Sequence, residues 1–354
     1  MNKTRIAFVD PGSFGLPYDR YYLNSIRRFV DVDFYYSSTL YGEDQISKIH
    51  PSVRLFKFNI SGSISPRIIG ALQYCKLLLL LFLRRDQYSS IHFNWSLIPE
   101  IDKQLLPALF GRKLVYTMHN LIPHGSSQDS SPSEHKIARK SQSVVLLSRY
   151  AYDSTADINE RRFFLQHGLT TPIVKLTHNK LQRVAFVGRV EPYKGIKQFI
   201  RLSEKHHKKF RFEISGKWAE QLDDEKRFAI SHCEVNDRYL TAEDFEQCFA
   251  RSNQLIVLPY HNITQSGILF NIIAAGVPFI ASRRGDFEHF AKEIGMPEIL
   301  FEPNDFEDLN RAFCFAIQHF RKISSLICSV QDKYIWCYES ETILRLYTGF
   351  AQDA

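Results

Sequence analysis

Arg189 and Lys194 lie five positions apart in a stretch running from Arg183 to Gly195. Val184 to Val187 reads as a buried strand that Gly188 breaks, and Ile196, Phe199 and Ile200 then fall on one face of a helix. A helix starting just past a strand presents free backbone N–H groups, and two cations at the same edge suit a diphosphate. Taken alone, Arg189 and Lys194 read equally well as solvated charges beside a turn.

A second stretch, Leu255 to Ala281, repeats the pattern of strand, small-residue loop, helix and strand. Its loop, Thr264, Gln265, Ser266 and Gly267, can offer hydroxyls and backbone amides to an anion at the next helix N-terminus. Together "FVGRVEPYKG" and "LPY…TQSG…AAGVPFIA" resemble the C-terminal, donor-binding half of nucleotide-sugar glycosyltransferases of the GT-B fold, in the family 4-like group. The resemblance implies that Arg189 and Lys194 act on the donor diphosphate. It also implies that Gly188, Tyr260, Thr264, Gln265, Ser266, Gly267 and Asn271 line the donor site. Gly216 and Lys217, which follow the strand Phe210–Ser215, become neighbours of the base or ribose.

In the first half, His119 stands just past the strand Lys113–Met118, where ligands of open α/β sheets bind. A histidine beside an apolar strand also reads as a structural residue. "HNLIPH", preceded by "IHFNW" at the end of the previous strand, is similar to the N-terminal half of the same enzymes. By that resemblance His119 contacts the donor sugar near its reacting carbon, with His124 a second candidate. The loop after the first strand holds Gly12, Gly15 and Tyr18 on the acceptor side, but it is not G-x-G-x-x-G and supports a dinucleotide site weakly. Residues 125–133 are polar and read as a lid over the acceptor.

These residues need two sheets to hold them. Apolar runs at Arg5–Val9, Asp31–Tyr36, Val53–Phe58, Ser90–Trp95, Lys113–Met118 and Ser143–Leu147 alternate with helix-length segments, as in a parallel sheet. The second half repeats this at Arg183–Val187, Phe210–Ser215, Leu255–Leu258, Pro278–Ala281 and Glu298–Phe301. The expected class is α/β, with two Rossmann-like domains facing a cleft: residues 1–172 for the acceptor and 173–333 for the nucleotide sugar. Residues 334–354 form a C-terminal helix, read as spanning Tyr334 to Phe350, that packs back toward the first domain. Asn304 or Asp305 caps an earlier helix. Leu77 to Leu83 is too short to span a bilayer and reads as a buried or an interfacial helix.

The chain has 354 residues, long enough for two cores, and 44% hydrophobic against 23% charged residues places it among globular proteins. Its charge is uneven: residues 1–172 hold 21 Lys and Arg against 14 Asp and Glu, whereas 173–354 hold 24 of each. The first half therefore asks for an anionic partner. Six scattered cysteines form no C-x-x-C pair and read as reduced thiols of a cytosolic protein, and the N-terminus reads as a strand rather than a signal peptide.

Asp31-Val-Asp33, the only D-x-D, lies in a strand pattern and reads as structural, so no metal or other cofactor is expected. Many relatives carry two glutamates eight residues apart at the second loop. Here Ile263 or Thr264 and Asn271 take those places, and retention of configuration is carried by the resemblance alone. The expected activity is metal-independent hexosyl transfer from a UDP- or GDP-linked sugar to a glycan or polyprenyl-diphosphate-linked acceptor, in bacterial capsule, exopolysaccharide or O-antigen synthesis. The enzyme would work at the cytoplasmic membrane's anionic inner face as a peripheral protein. A sugar-nucleotide epimerase or an inactive nucleotide-sugar-binding subunit would share the fold. No RNA-binding signature or aromatic-basic repeat points to nucleic acid.

Overall fold

The computed structural model describes residues 3–38, 43–60, 67–119 and 132–348. Residues 168–335 form one compact unit, and the described residues on either side of them form the other. His124 and residues 125–131 of the expected lid lie outside the described residues.

In the first unit, continuous apolar runs such as Ile6–Val9 carry no polar face and so demand cover on both sides. They form β1 (Arg5–Asp10), β2 (Asp31–Ser37), β3 (Arg54–Phe58), β4 (Ser90–Phe93), β5 (Leu114–Met118), β6 (Ser143–Leu146) and β7 (Arg162–Phe164). All neighbours are parallel, in the order β3-β2-β1-β4-β5-β6-β7. The second unit holds β8 (Arg183–Val187), β9 (Arg211–Ser215), β10 (Glu234–Asn236), β11 (Gln254–Leu258), β12 (Phe279–Ser282) and β13 (Leu300–Phe301), again parallel, in the order β10-β9-β8-β11-β12-β13. Strand order reverses between β1 and β4 in one sheet and between β8 and β11 in the other. Crevices open at the carboxyl ends of such switch points, which is where ligands of open α/β sheets bind.

Several expectations change. The edge strands β7 and β10 are three residues each and were not read from the sequence. The last helix is Ser340–Thr348 and does not start at Tyr334. Tyr334 instead ends a short 3-10 turn with its hydroxyl donating to Glu293 at 2.7 Å, while the Trp336 ring stacks on Tyr21. Residues 335–339, between that turn and the last helix, are not helical. The last helix docks on the first unit through Tyr347, whose carbonyl accepts from Ser90 Oγ at 2.6 Å and whose hydroxyl pairs with Tyr22 at 2.7 Å. Asp305 is the cap of its helix, accepting from the Asp308 N–H at 3.0 Å. The leucine run belongs to the Arg67–Arg84 helix, which buries one face and exposes the other. Among the described residues, no helix is long and apolar enough to cross a membrane.

Candidate functional site

At the β8 end of the second unit, two glycines let backbone segments touch. A Cβ on Gly216 would lie 2.0 Å from the Gly188 carbonyl oxygen, so the ends of β8 and β9 close on each other only because position 216 has no side chain. Gly195, at φ +68°, opens the Ile196–His206 helix, and a Cβ there would meet the Pro259 carbonyl at 1.9 Å. The His261 N–H donates to the Tyr193 carbonyl at 2.7 Å and locks the β8 and β11 loops together. Lys194 sits in this knot. Its ammonium is 3.7 Å from the Cβ position of Gly188 and 5.4 Å from the Tyr260 ring centre.

Among the described residues Lys194 has no ion-pair partner. Burial pushes its pKa down to about 8; Glu191 acts upward and Arg189 downward. Arg189 is placed differently: its side chain is 64% exposed and its Nε lies 2.6 Å from Glu191 Oε1. Ile268 Cδ1 comes within 3.2 Å of the Gly188 Cβ position, so the first turn of the Gly267–Ala275 helix adjoins the lysine's loop. That helix has Ser266 as N-cap with no side-chain cap bond, and a Cβ on exposed Gly267 would meet nothing within 4 Å. An uncapped helix N-terminus facing open space, beside an unpaired ammonium, suits an anion. Asn271 is spent on the Gly267 carbonyl at 2.9 Å, and buried Thr264 accepts the Asp286 N–H at its carbonyl, 3.1 Å. The Lys217 ammonium lies 3.4 Å from Asp237, and Gln265 is half-buried.

In the first unit the ends of β1, β4 and β5 meet. His119 Nε2 lies 2.9 Å from the Asn94 carbonyl oxygen and 3.1 Å from Asn94 Oδ1. A carbonyl only accepts, so Nε2 carries the proton and Nδ1 is the acceptor. Burial lowers the His119 pKa to about 3, and the ring is neutral at physiological pH. Trp95 stacks on it at 3.9 Å and 3°, and Tyr18 meets it edge-on at 6.2 Å. Behind it, Asn94 Nδ2 donates to Asp19 Oδ1 at 2.8 Å, and the Gly15 N–H donates to Asp10 Oδ2 at 2.8 Å. Asp10 Oδ1 and Asp19 Oδ2 are buried without other partners. Burial raises both carboxyl pKa values, and the neighbouring Asp10 charge adds to the rise at Asp19. A Cβ on Gly15 would stand 2.9 Å from Asn94 Nδ2, and one on Gly12 2.2 Å from the Phe14 ring.

Residues 182–319 match the family described as Glycosyl transferases group 1. Sucrose-phosphate synthase from Thermosynechococcus elongatus superposes with a TM-score of 0.70 at 15% identity, covering 97% of each chain. HepE from Anabaena in complex with UDP-glucose gives 0.67 at 15% identity over 96% of each chain. WaaG, a glycosyltransferase involved in lipopolysaccharide biosynthesis, gives 0.64 at 13% identity over 98% of this chain and 100% of its own. At these identities the superpositions establish the fold, and the family match covers most of the second unit. The chain has the GT-B fold, and its residues 182–319 carry the match to a glycosyltransferase family. No curated protein matches its sequence.

The structure gathers Gly188, Lys194, Gly216, Tyr260 and the Thr264–Gly267 loop at the switch point of the second sheet. Gly12, Gly15, Tyr18 and His119 gather at that of the first. Sequence reasoning missed Tyr193, Glu191 and His261 in the former, and Asp10, Asp19, Asn94 and Trp95 in the latter. Asp10, Asn94 and Trp95 each directly end or follow a strand, and that position was the available signal. Asp33 of the D-x-D is buried and accepts from Arg5 at 2.7 Å, Arg54 at 2.5 Å and Tyr88 at 2.7 Å, so it is a structural carboxylate.

Proposed function

We propose that this glycosyltransferase moves a hexose from a UDP- or GDP-linked donor to a glycan or polyprenyl-diphosphate-linked acceptor, with retention and without a metal, in bacterial surface-polysaccharide synthesis. The observation that carries the donor assignment is Lys194: a half-buried ammonium, unpaired among the described residues, beside an uncapped helix N-terminus. In that role the ammonium and the first amides of the Gly267–Ala275 helix take up the charge that builds on the departing diphosphate, the work a divalent cation does elsewhere. Arg189 is the second cation, once it leaves Glu191. His119, neutral and with Nδ1 as acceptor, takes a hydrogen bond from a sugar hydroxyl near the reacting carbon, and Asn94 positions it.

HepE, whose structure holds UDP-glucose, and WaaG, which is involved in lipopolysaccharide biosynthesis, favour a uridine diphosphate donor and a surface-glycan acceptor. The basic excess of residues 1–172 supports peripheral docking at the inner face of the cytoplasmic membrane. Transfer assays with UDP- and GDP-hexoses, in EDTA and on undecaprenyl-diphosphate-linked acceptors, test the proposal. Turnover that persists in EDTA supports it, and turnover that requires added Mg²⁺ or Mn²⁺ overturns the metal-independent mechanism.

A further inference from the structure

The 18-residue Arg67–Arg84 helix has two apolar faces. One is core: Tyr74, Leu77, Leu78 and Leu81 are buried, and the Tyr74 hydroxyl donates to the buried Asp102 carboxylate at 2.9 Å. On the opposite side Ile68, Leu72, Leu79 and Leu83 are 76%, 64%, 59% and 70% exposed. Their spacing of four, seven and four positions aligns them in one stripe along the axis, with exposed Ile69 and Cys75 at its margins. A surface helix ordinarily carries polar residues there, and contiguous apolar surface of this kind marks an interaction site.

The charges choose the occupant. Residues 67–85 contain no Asp or Glu, and their cations, Arg67, Lys76, Arg84 and Arg85, stand at both ends and midway. The Arg85 guanidinium lies 4.1 Å from the Phe82 ring centre and that of Arg84 5.8 Å from Phe56. The next acid, Asp86, faces Lys113 at 3.5 Å. A second copy of the helix would set these cations against their own kind. A bilayer with anionic headgroups takes both components at once: apolar side chains enter the acyl boundary while the cations meet lipid phosphates. Because the opposite face is fastened to the core, the helix can lie along the surface but cannot turn to span it.

We propose that Ile68, Leu72, Leu79 and Leu83 are the membrane-docking stripe of this glycosyltransferase, and that Arg67, Lys76, Arg84 and Arg85 bind anionic lipid phosphates around it. The proposal rests on the peripheral-membrane reading above and assigns the docking to this helix, not to Lys136, Arg139 and Lys140 of the Pro132–Lys140 helix.

The full chain is sedimented with vesicles of phosphatidylcholine alone and of equal parts phosphatidylglycerol and phosphatidylcholine. Wild-type protein should partition to the anionic vesicles, and Leu72→Gln, Leu79→Gln and Leu83→Gln together should lower that partition about tenfold or more. All three positions are exposed, so circular dichroism of the variant should match wild type. Equal binding by the variant overturns the stripe and leaves the membrane reading standing on other basic residues. No binding by either protein overturns both. A single Leu79→Trp substitution gives an independent reading in an otherwise intact chain: its added emission should shift to the blue with anionic vesicles, and an unshifted spectrum contradicts insertion.

Discussion

The two switch points treat charge in opposite ways. In the second unit the β8 and β11 loops are knitted by backbone contacts through Gly195 and the His261–Tyr193 bond, while the Lys194 ammonium has no ion-pair partner among the described residues. In the first unit the polar groups are joined in a chain: His119 is bonded to Asn94 and Asn94 to Asp19, whose carboxyl pKa burial and the neighbouring Asp10 raise. One edge stores an uncompensated cation, and the other presents a neutral, preset surface of His119, Trp95 and Tyr18. An unpaired half-buried charge costs stability unless something binds it, whereas a neutral ring held by hydrogen bonds costs less and has a fixed geometry. The contrast separates binding an anion from orienting a neutral group.

The largest effect that bears on this contrast is expected at Lys194. Lys194→Ala removes the charge-assisted contact proposed to the leaving group and should lower kcat/KM by about 2–4 kcal/mol in transition-state terms. The fold should survive, since the side chain closes no ion pair. Next comes Asn94→Leu, which leaves the buried Asp19 Oδ1 without its donor, while His119 Nε2–H keeps the backbone carbonyl of residue 94. It should cost about 1–3 kcal/mol of stability by thermal denaturation. A melt equal to wild type would mean that the Asn94–Asp19 bond adds nothing to stability.

The pH response sharpens the comparison further. As pH rises through about 8, Lys194 loses its proton, so donor affinity should fall about tenfold per unit above it. Stability moves the other way. Its folded pKa lies below the ordinary 10.5, so between the two values the unfolded chain binds more protons and the folded state gains as pH rises. Lys194→Met should abolish its share of both trends. His119, already neutral above about pH 3, should add no step between pH 5 and 8. The smallest effect is expected for Arg189→Gln, about 1 kcal/mol or less, because the side chain is exposed and already paired with Glu191.

Much of the fold was legible because long apolar runs alternate with helical periods, and eleven strands were read close to their observed bounds. Arg162–Phe164 and Glu234–Asn236 escaped because three residues at a sheet edge show no period. The Leu77–Leu83 run was ambiguous since a helix apolar on both faces has no amphipathic signature to read. At the site, the glycines and Lys194 showed themselves through a local strand-turn-helix pattern. Arg189 looked equivalent to Lys194, because sequence spacing does not reveal which side chain folds back on Glu191. The Asp10, Asp19, Asn94 and His119 chain was invisible for a different reason: it exists only where β1, β4, β5 and the Leu16–Ile26 helix converge, across some hundred residues of sequence.

The central claim, that the second unit's edge binds the donor diphosphate through Lys194 while His119 serves a later step, is tested most directly by titration calorimetry. UDP-glucose is titrated at pH 7 into wild type, Lys194→Met and His119→Ala, with turnover measured in parallel. The account predicts that Lys194→Met weakens donor binding by roughly 1.5–3 kcal/mol, as expected for a hydrogen bond to a charged group. His119→Ala should bind within a few-fold of wild type and lose turnover. Wild-type affinity in Lys194→Met, with binding lost in His119→Ala, would contradict it.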